Sequence, residues 1–210
     1  MANARDIGMA AISGTGCIGA SALALLILAC GPPRVSETAG GGPPPPKPLP
    51  PRPLSEVFVL EAAGAQPDDT SLSMMPGVPR VIVLRRSAPD FGLFARIELG
   101  DSTLRTGANV PGGEATLTIH PRPGEYGLEL EVQGTFGGGG SILFSYGTHF
   151  VAPAGARERY GSDIYFERQL AIGRVDANDQ VTFLPTSRPG SDMLSAPLPG
   201  PGRYLVAAPR

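Results

Sequence analysis

The chain has 210 residues, with 17 Lys+Arg against 19 Asp+Glu, two histidines, two cysteines, no tryptophan and a formal net charge of −2. That balance gives no electrostatic case for nucleic acid, or for an anionic membrane surface, as a partner. With 29 glycines and 24 prolines, the composition favours turns and extended segments, and the length suits one folded domain plus appendages.

The first element is Leu23-Ala24-Leu25-Leu26-Ile27-Leu28-Ala29-Cys30. Residues 18–29 give about a dozen apolar positions, short of the roughly 20 that a spanning helix needs, and the run reads as the apolar region of a secretory signal. Its end, Ile27-Leu28-Ala29-Cys30, resembles the lipobox of bacterial lipoproteins. The resemblance implies a signal peptide over 1–29, cleavage between Ala29 and Cys30, and lipid attachment (diacylglyceryl and an acyl chain such as palmitate) at Cys30. Arg5 and the amino terminus are the only cations before the apolar run, and Asp6 offsets one of them. This start is less basic than such signals usually are, and an uncleaved N-terminal anchor is the rival reading. Cys17 follows Gly-Thr-Gly and lacks the branched residue three positions earlier, so it leaves with the signal. Cys30 is then the remaining cysteine, which excludes an intramolecular disulfide. Attachment to the membrane rests on the acyl chains. Gly31 stands where some inner-membrane lipoproteins carry aspartate, which favours the outer membrane in a Gram-negative envelope.

Residues 30–54 follow as a disordered Pro/Gly-rich tether. Gly40-Gly41-Gly42 is a hinge, and Pro43 to Pro53 is a polyproline II spacer. At about 3.1 Å per residue the spacer reaches roughly 34 Å.

Residues 55–210 read as strands between glycine, proline and aspartate turns. Val57 to Leu60 opens the series, and Val78 to Leu84 follows a loop around Gln66-Pro67-Asp68-Asp69. Leu93, Ala95, Ile97 and Leu99 alternate with Phe94, Arg96 and Glu98, a period of two with one buried and one wet face. Ala115, Leu117 and Ile119 repeat the pattern, as do Leu128, Leu130 and Val132. Between these two strands, His120 to Gly127 reads as a turn. Ile142 to Tyr146, Ile164 to Phe166, Leu170 to Val175, Val181 to Leu184 and Arg203 to Val206 complete the list. Asp176-Ala177-Asn178-Asp179 forms a hairpin turn between two of them. No apolar helical period persists, and the expected fold is an all-β antiparallel sandwich. Arg96, Glu98, Glu129 and Glu131 read as charges that protect its edges.

Ala115-Thr116-Leu117-Thr118-Ile119, Leu143-Phe144-Ser145-Tyr146, Leu170 to Val175 and the closing Gly202-Arg203-Tyr204-Leu205-Val206 resemble ZU5/GAIN-type β-sandwich modules over residues 93–207. Asn109-Val110-Pro111-Gly112-Gly113 stands where that family carries a Pro-Ala-Gly-like turn. Some ZU5 modules cleave themselves at His-Phe-Ser. Here the tripeptide is His149-Phe150-Val151, and valine supplies no nucleophile.

Other chemistry is sparse. His120 and His149 have no cysteine to complete a zinc site. His120 reads as a solvated turn residue and His149 as a strand-end residue. Ser145 and Ser162 lack a nucleophile-elbow context. The glycine-rich stretch at 137–140 lacks the lysine and helix of a phosphate cradle and reads as a hairpin connection. Asp176, Asn178 and Asp179 are too few for a calcium loop. Glu129 and Glu131 share a strand face but no aromatic cleft. Tyr160 to Arg168 concentrates aromatic and charged residues, as contact surfaces do. The expected protein is a lipid-anchored envelope protein with a non-catalytic sandwich, no catalytic residues, no metal and no cofactor. Its partners are the membrane through its anchor and another envelope protein or a surface glycan. A hydrolase with an unrecognised site is the alternative.

Overall fold

The computed structural model describes residues 49–105 and 113–210. The expectations placed on Ala29 and Cys30, on the tether up to residue 48 and on Asn109 to Gly112 lie outside the described residues.

The described elements begin with β1 (Arg52–Pro53), β2 (Val57–Val59), β3 (Glu61–Ala62), β4 (Thr70–Met74), β5 (Arg80–Arg85), β6 (Leu93–Leu99) and β7 (Leu104–Arg105). There follow β8 (Ala115–Pro121), β9 (Gly127–Gln133), β10 (Thr135–Phe136), β11 (Gly140–Ser145) and β12 (Phe150–Val151). Two helices, α1 (Ala156–Tyr160) and α2 (Asp163–Gln169), precede β13 (Ala171–Val175), β14 (Gln180–Phe183), β15 (Ser187–Gly190), β16 (Met193–Leu198) and β17 (Gly202–Pro209).

The fold is an all-β, antiparallel, sandwich-like arrangement. The largest sheet has the order β1-β14-β13-β17-β9-β8-β4, with β2 also on β17, a second has the order β15-β16-β11-β6-β5, and β10 with β7 and β12 with β3 form two-stranded pairs. The alternating sequences place their apolar residues between the sheets, Ala95, Ile97 and Leu99 from β6 against Leu117, Ile119, Leu128 and Leu130 from β8 and β9. Each of these isoleucine and leucine side chains contributes about 1.5–3 kcal/mol on leaving water.

A second cluster, Val57, Val175, Val181, Phe183, Leu205 and Ala207, forms on β2, β13, β14 and β17. Here β1 pairs with β14 and β2 with β17, and the 3-10 turn Leu54–Glu56 joins β1 to β2. Five strands are thereby closed into a ring by the chain itself. The sandwich takes up Arg52 and Pro53, residues that read as tether.

Several elements depart from the sequence reading. Ile164 to Phe166 is part of helix α2, not a strand. Ser162 caps it, its side chain accepting the Tyr165 N–H at 3.2 Å, and Leu170 ends it in extended conformation. Phe94 is fully buried despite its outward phase. The register of β5 on β6 shifts between Leu84 and Arg85, opposite Ala95 and Leu93, and interrupts the alternation there. His120 and Pro121 extend β8 rather than turn. Arg96, Glu98, Glu129 and Glu131 lie on β6 and β9, which are internal strands and not edges. Strand β4 carries Ser71 and Ser73 at its exposed positions, and the outward positions of β16 are Met193, Ser195 and Pro197, so neither gives a clean apolar alternation.

Candidate functional site

The densest polar chemistry lies at the end of β5. Beyond the register shift, Arg86 is 2 % exposed. Its Nη1 donates to the carbonyls of Ala63 and Ala65 at 2.9 and 3.1 Å, and its Nη2 donates to the Tyr126 hydroxyl at 2.7 Å. The guanidinium carbon sits 5.5 Å from the Phe94 ring centroid and 5.2 Å from that of Tyr126. Burying a cation is costly unless it is paired and fully hydrogen-bonded, and these contacts meet that need.

Asp90 supplies the counter-charge. Its Oδ2 lies 3.7 Å from Arg86 Nε and 2.5 Å from His149 Nε2. The loop that carries Asp90 contains the cis peptide Ala88–Pro89. The other side of the imidazole lies over Gly64, where a Cβ would approach Nδ1 and Cε1 to 3.2 Å. Gly64 has φ +78°, so both backbone conformation and space favour glycine there.

From this cluster a second chain of contacts leads toward the helices. The Tyr126 hydroxyl donates to the Tyr146 carbonyl at 3.1 Å. The Tyr146 hydroxyl accepts from Arg188 Nη1 at 2.8 Å and donates to Glu167 Oε1 at 3.0 Å. Burial raises the hydroxyl pKa of both tyrosines against the opposing effect of Arg86 and Arg188, and that of Tyr146 is pushed up to about 12. The rings of Phe94, Tyr126, Tyr146, Phe150 and Phe166 follow one another at centroid spacings of 5.6, 6.4, 6.2 and 6.1 Å. This seam ties α2 to both sheets, each pair contributing about 0.5–1.5 kcal/mol beyond its burial.

The sequence-read candidates do not converge. His149 joins the cluster, at the end of a 3-10 turn rather than on a strand. His120 sits on β8 with its Nδ1 2.8 Å from Asp69 Oδ2, on the surface. Glu129 and Glu131 stand opposite His120 and Thr118 across the sheet. The Asp176 side chain accepts the N–H groups of Asn178 and Gln180 at 2.8 and 2.9 Å, an Asx turn that uses its oxygen within the hairpin. Ser162 is a helix cap and Ser145 a strand residue. Residues 137–139 connect β10 to β11, and Gly140, which opens β11, is needed because a Cβ there would lie 2.9 Å from the Glu98 carbonyl. Along Tyr160 to Arg168, Phe166 enters the core, whereas Ile164 and Tyr165 are 63 % and 59 % exposed. Among the described residues no group of three or more His, Cys, Asp and Glu side chains is placed to hold a metal.

Sequence reading missed Arg86, Asp90, Tyr126, Tyr146 and Arg188. One signal was present: Arg86 is in phase with Ile82 and Leu84, which both face the core. Chemically, the cluster can hold a carboxylate–imidazole pair beside a fixed cation. The contacts around it join loop to strand and strand to helix. No family model matches the chain, and neither a curated protein nor a solved structure was found to match it.

Proposed function

We propose that this chain is a lipid-anchored bacterial envelope protein whose β-sandwich is a non-catalytic interaction or structural domain. The observation that carries the reading is Ile27-Leu28-Ala29-Cys30 at the end of a short apolar run, followed directly by Gly31 and the Pro/Gly-rich stretch to Pro53. On this reading Cys30 carries the lipid and the tether displays the domain away from the headgroups. The sandwich is a module of the ZU5/GAIN type in which Val151 replaces the self-cleaving nucleophile. Its partner is another envelope protein or a surface glycan.

The engagement of the polar groups supports a non-catalytic role. The side-chain hydrogen bonds of Arg86, Tyr126 and Tyr146 go to neighbouring loops, strands and helix α2. The hydrolase alternative draws on one observation, the carboxylate–imidazole pair of Asp90 and His149.

The test is the intact mass of the full chain, expressed in a bacterium that processes lipoproteins, beside Cys30→Ala. A product that begins at Cys30 and carries diacylglyceryl and acyl mass, lost in the variant, is expected. A product retaining Met1, or one without added mass, overturns the anchor. Hydrolysis of ester or peptide probes by wild type, lost in His149→Ala, would favour the alternative.

A further inference from the structure

The two large sheets end at β1 and β4, and at β15 and β5. Three of these ends are blunted. β1 is two residues long, β15 contains Pro189 and a register shift, and β4 turns Ser71 and Ser73 to solvent. Natural sheets use such short, interrupted or polar edges to discourage further pairing.

β5 is built differently. From Arg80 to Leu84 it pairs with β6 in unbroken register, and no described strand lies along its other side. Ile82 and Leu84 face the core, while Val81 and Val83 are 55 % and 46 % exposed. Met75 and Val78, just before the strand, are exposed as well. The edge is therefore a row of backbone donors and acceptors with β-branched apolar side chains at alternate positions.

Charge defines what fits it. Arg80 and Arg85 bracket the strand. Among the described residues Arg80 makes no ion pair, and Arg85 donates only to the Phe91 carbonyl at 3.3 Å. Glu98, which stands opposite Val81 on β6, is paired with Arg96 at 2.6 Å. An open groove of about 370 Å³ lies at the Arg80 end, between Pro79–Val81, Glu98–Gly100 and Gly139–Ser141.

We propose that β5 is an edge for strand addition, and that its partner is an extended peptide with apolar side chains at alternate positions and an acidic residue at each end. Main-chain hydrogen bonds to the edge supply affinity, contact with Val81 and Val83 sets the register, and Arg80 and Arg85 select the acidic flanks. A second copy of this chain matches the apolar part. Pairing about Ile82 would face Val81 with Val83, but it brings no acid to any of the four arginines.

The inference deepens the interaction reading of the sandwich and is independent of the lipid anchor. The test uses the full chain in nonionic detergent, with the capped peptide Glu-Val-Thr-Val-Thr-Glu and its Lys-flanked counterpart as probes. Calorimetry and amide hydrogen exchange read the outcome. The Glu-flanked peptide is expected to slow exchange over Arg80–Arg85 and to bind about tenfold or more tightly than the Lys-flanked one. Arg80→Glu/Arg85→Glu should reverse that preference, and Val81→Lys/Val83→Lys should remove the protection. All four side chains are exposed, and an unchanged urea midpoint shows that the variants remain folded. No protection of β5 at about 1 mM peptide, equal binding of both peptides, or protection that rises with protein concentration in the absence of peptide overturns the proposal. The last of these would instead assign the edge to a second copy. Cross-linking in the envelope separates this inference from the broader one. Adducts that persist in Val81→Lys/Val83→Lys keep the interaction reading and reject β5 as its site.

Discussion

Arg86 donates from Nη2 to the Tyr126 hydroxyl at 2.7 Å, and the same hydroxyl donates onward to the Tyr146 carbonyl at 3.1 Å. One buried arginine thus fixes a loop at residues 63–65, an aromatic ring and, through it, the end of β11. Arg86→Met should cost about 3–5 kcal/mol, because it leaves buried acceptors and Asp90 without their cation. Tyr126→Phe should cost about 1–3 kcal/mol. The double variant should lose less than the sum, with a coupling of about 0.5–3 kcal/mol in urea unfolding. Strict additivity would show that the two residues act separately.

The helical reading of residues 163–169 has its own signature. Phe166 is fully buried and meets Phe58 edge-on at 6.2 Å, whereas Ile164 is exposed. Phe166→Ala should cost about 3–5 kcal/mol. Ile164→Ala should stay within about 0.5 kcal/mol. Two apolar residues two positions apart on a strand would share a face, so equal losses would argue for the strand. Thermal or chemical unfolding decides between them.

Gly64 and Gly77 separate backbone strain from crowding. Both have positive φ, +78° and +81°, but a Cβ at Gly64 meets the His149 ring while one at Gly77 meets nothing within 4 Å. Gly77→Ala should cost about 1–2 kcal/mol from left-handed backbone alone. Gly64→Ala should cost about 1–3 kcal/mol more, through overpacking against the imidazole. It should also shift the His149 ring resonances, and equal costs with unmoved resonances would refute the contact.

The His120 imidazole has its pKa raised above 6.5, chiefly by its hydrogen bond to Asp69. The folded protein therefore holds this proton more tightly than the unfolded chain. The resulting stability is fully present below the unfolded pKa, and it fades as pH rises through the higher folded value. Asp69→Asn should lower the His120 pKa in an NMR titration and flatten this part of the pH dependence. A pKa unmoved by the substitution would place the cause elsewhere.

Strands β6, β8 and β9 are legible in the sequence because each buries one face, and burial of one face writes a period of two. The fold class follows from them. Helix α2 is illegible because a seven-residue helix that buries Phe166 among exposed Ile164 and Tyr165 never builds a helical apolar period. Phe94 is misread because a shifted register on the neighbouring strand breaks the alternation locally. The Arg86 cluster is assembled from loops and strands far apart in the chain, around Ala63, Asp90, Tyr126 and His149. Nothing local in the sequence announces that they meet. The arginine at the inward phase of β5 is the one trace it leaves.

The ring closed by β1 and β2 also sets how the domain answers mechanical load. A pull along the backbone from before Arg52 first meets the two-residue pairing of β1 with β14 and the Leu54 N–H bond to the Asp179 carbonyl. Next come the three-residue pairing of β2 with β17 and the Arg210 Nε bond to the Val57 carbonyl at 3.1 Å. Short pairings in series give way one at a time, so the first yield releases residues 52–55 at up to about 3.6 Å each, Glu56 being still held by the Arg210 N–H at 2.9 Å, while the strands of the main core keep their places. Slack is paid out before the core is stressed, and the same strands can zip back when the tension falls.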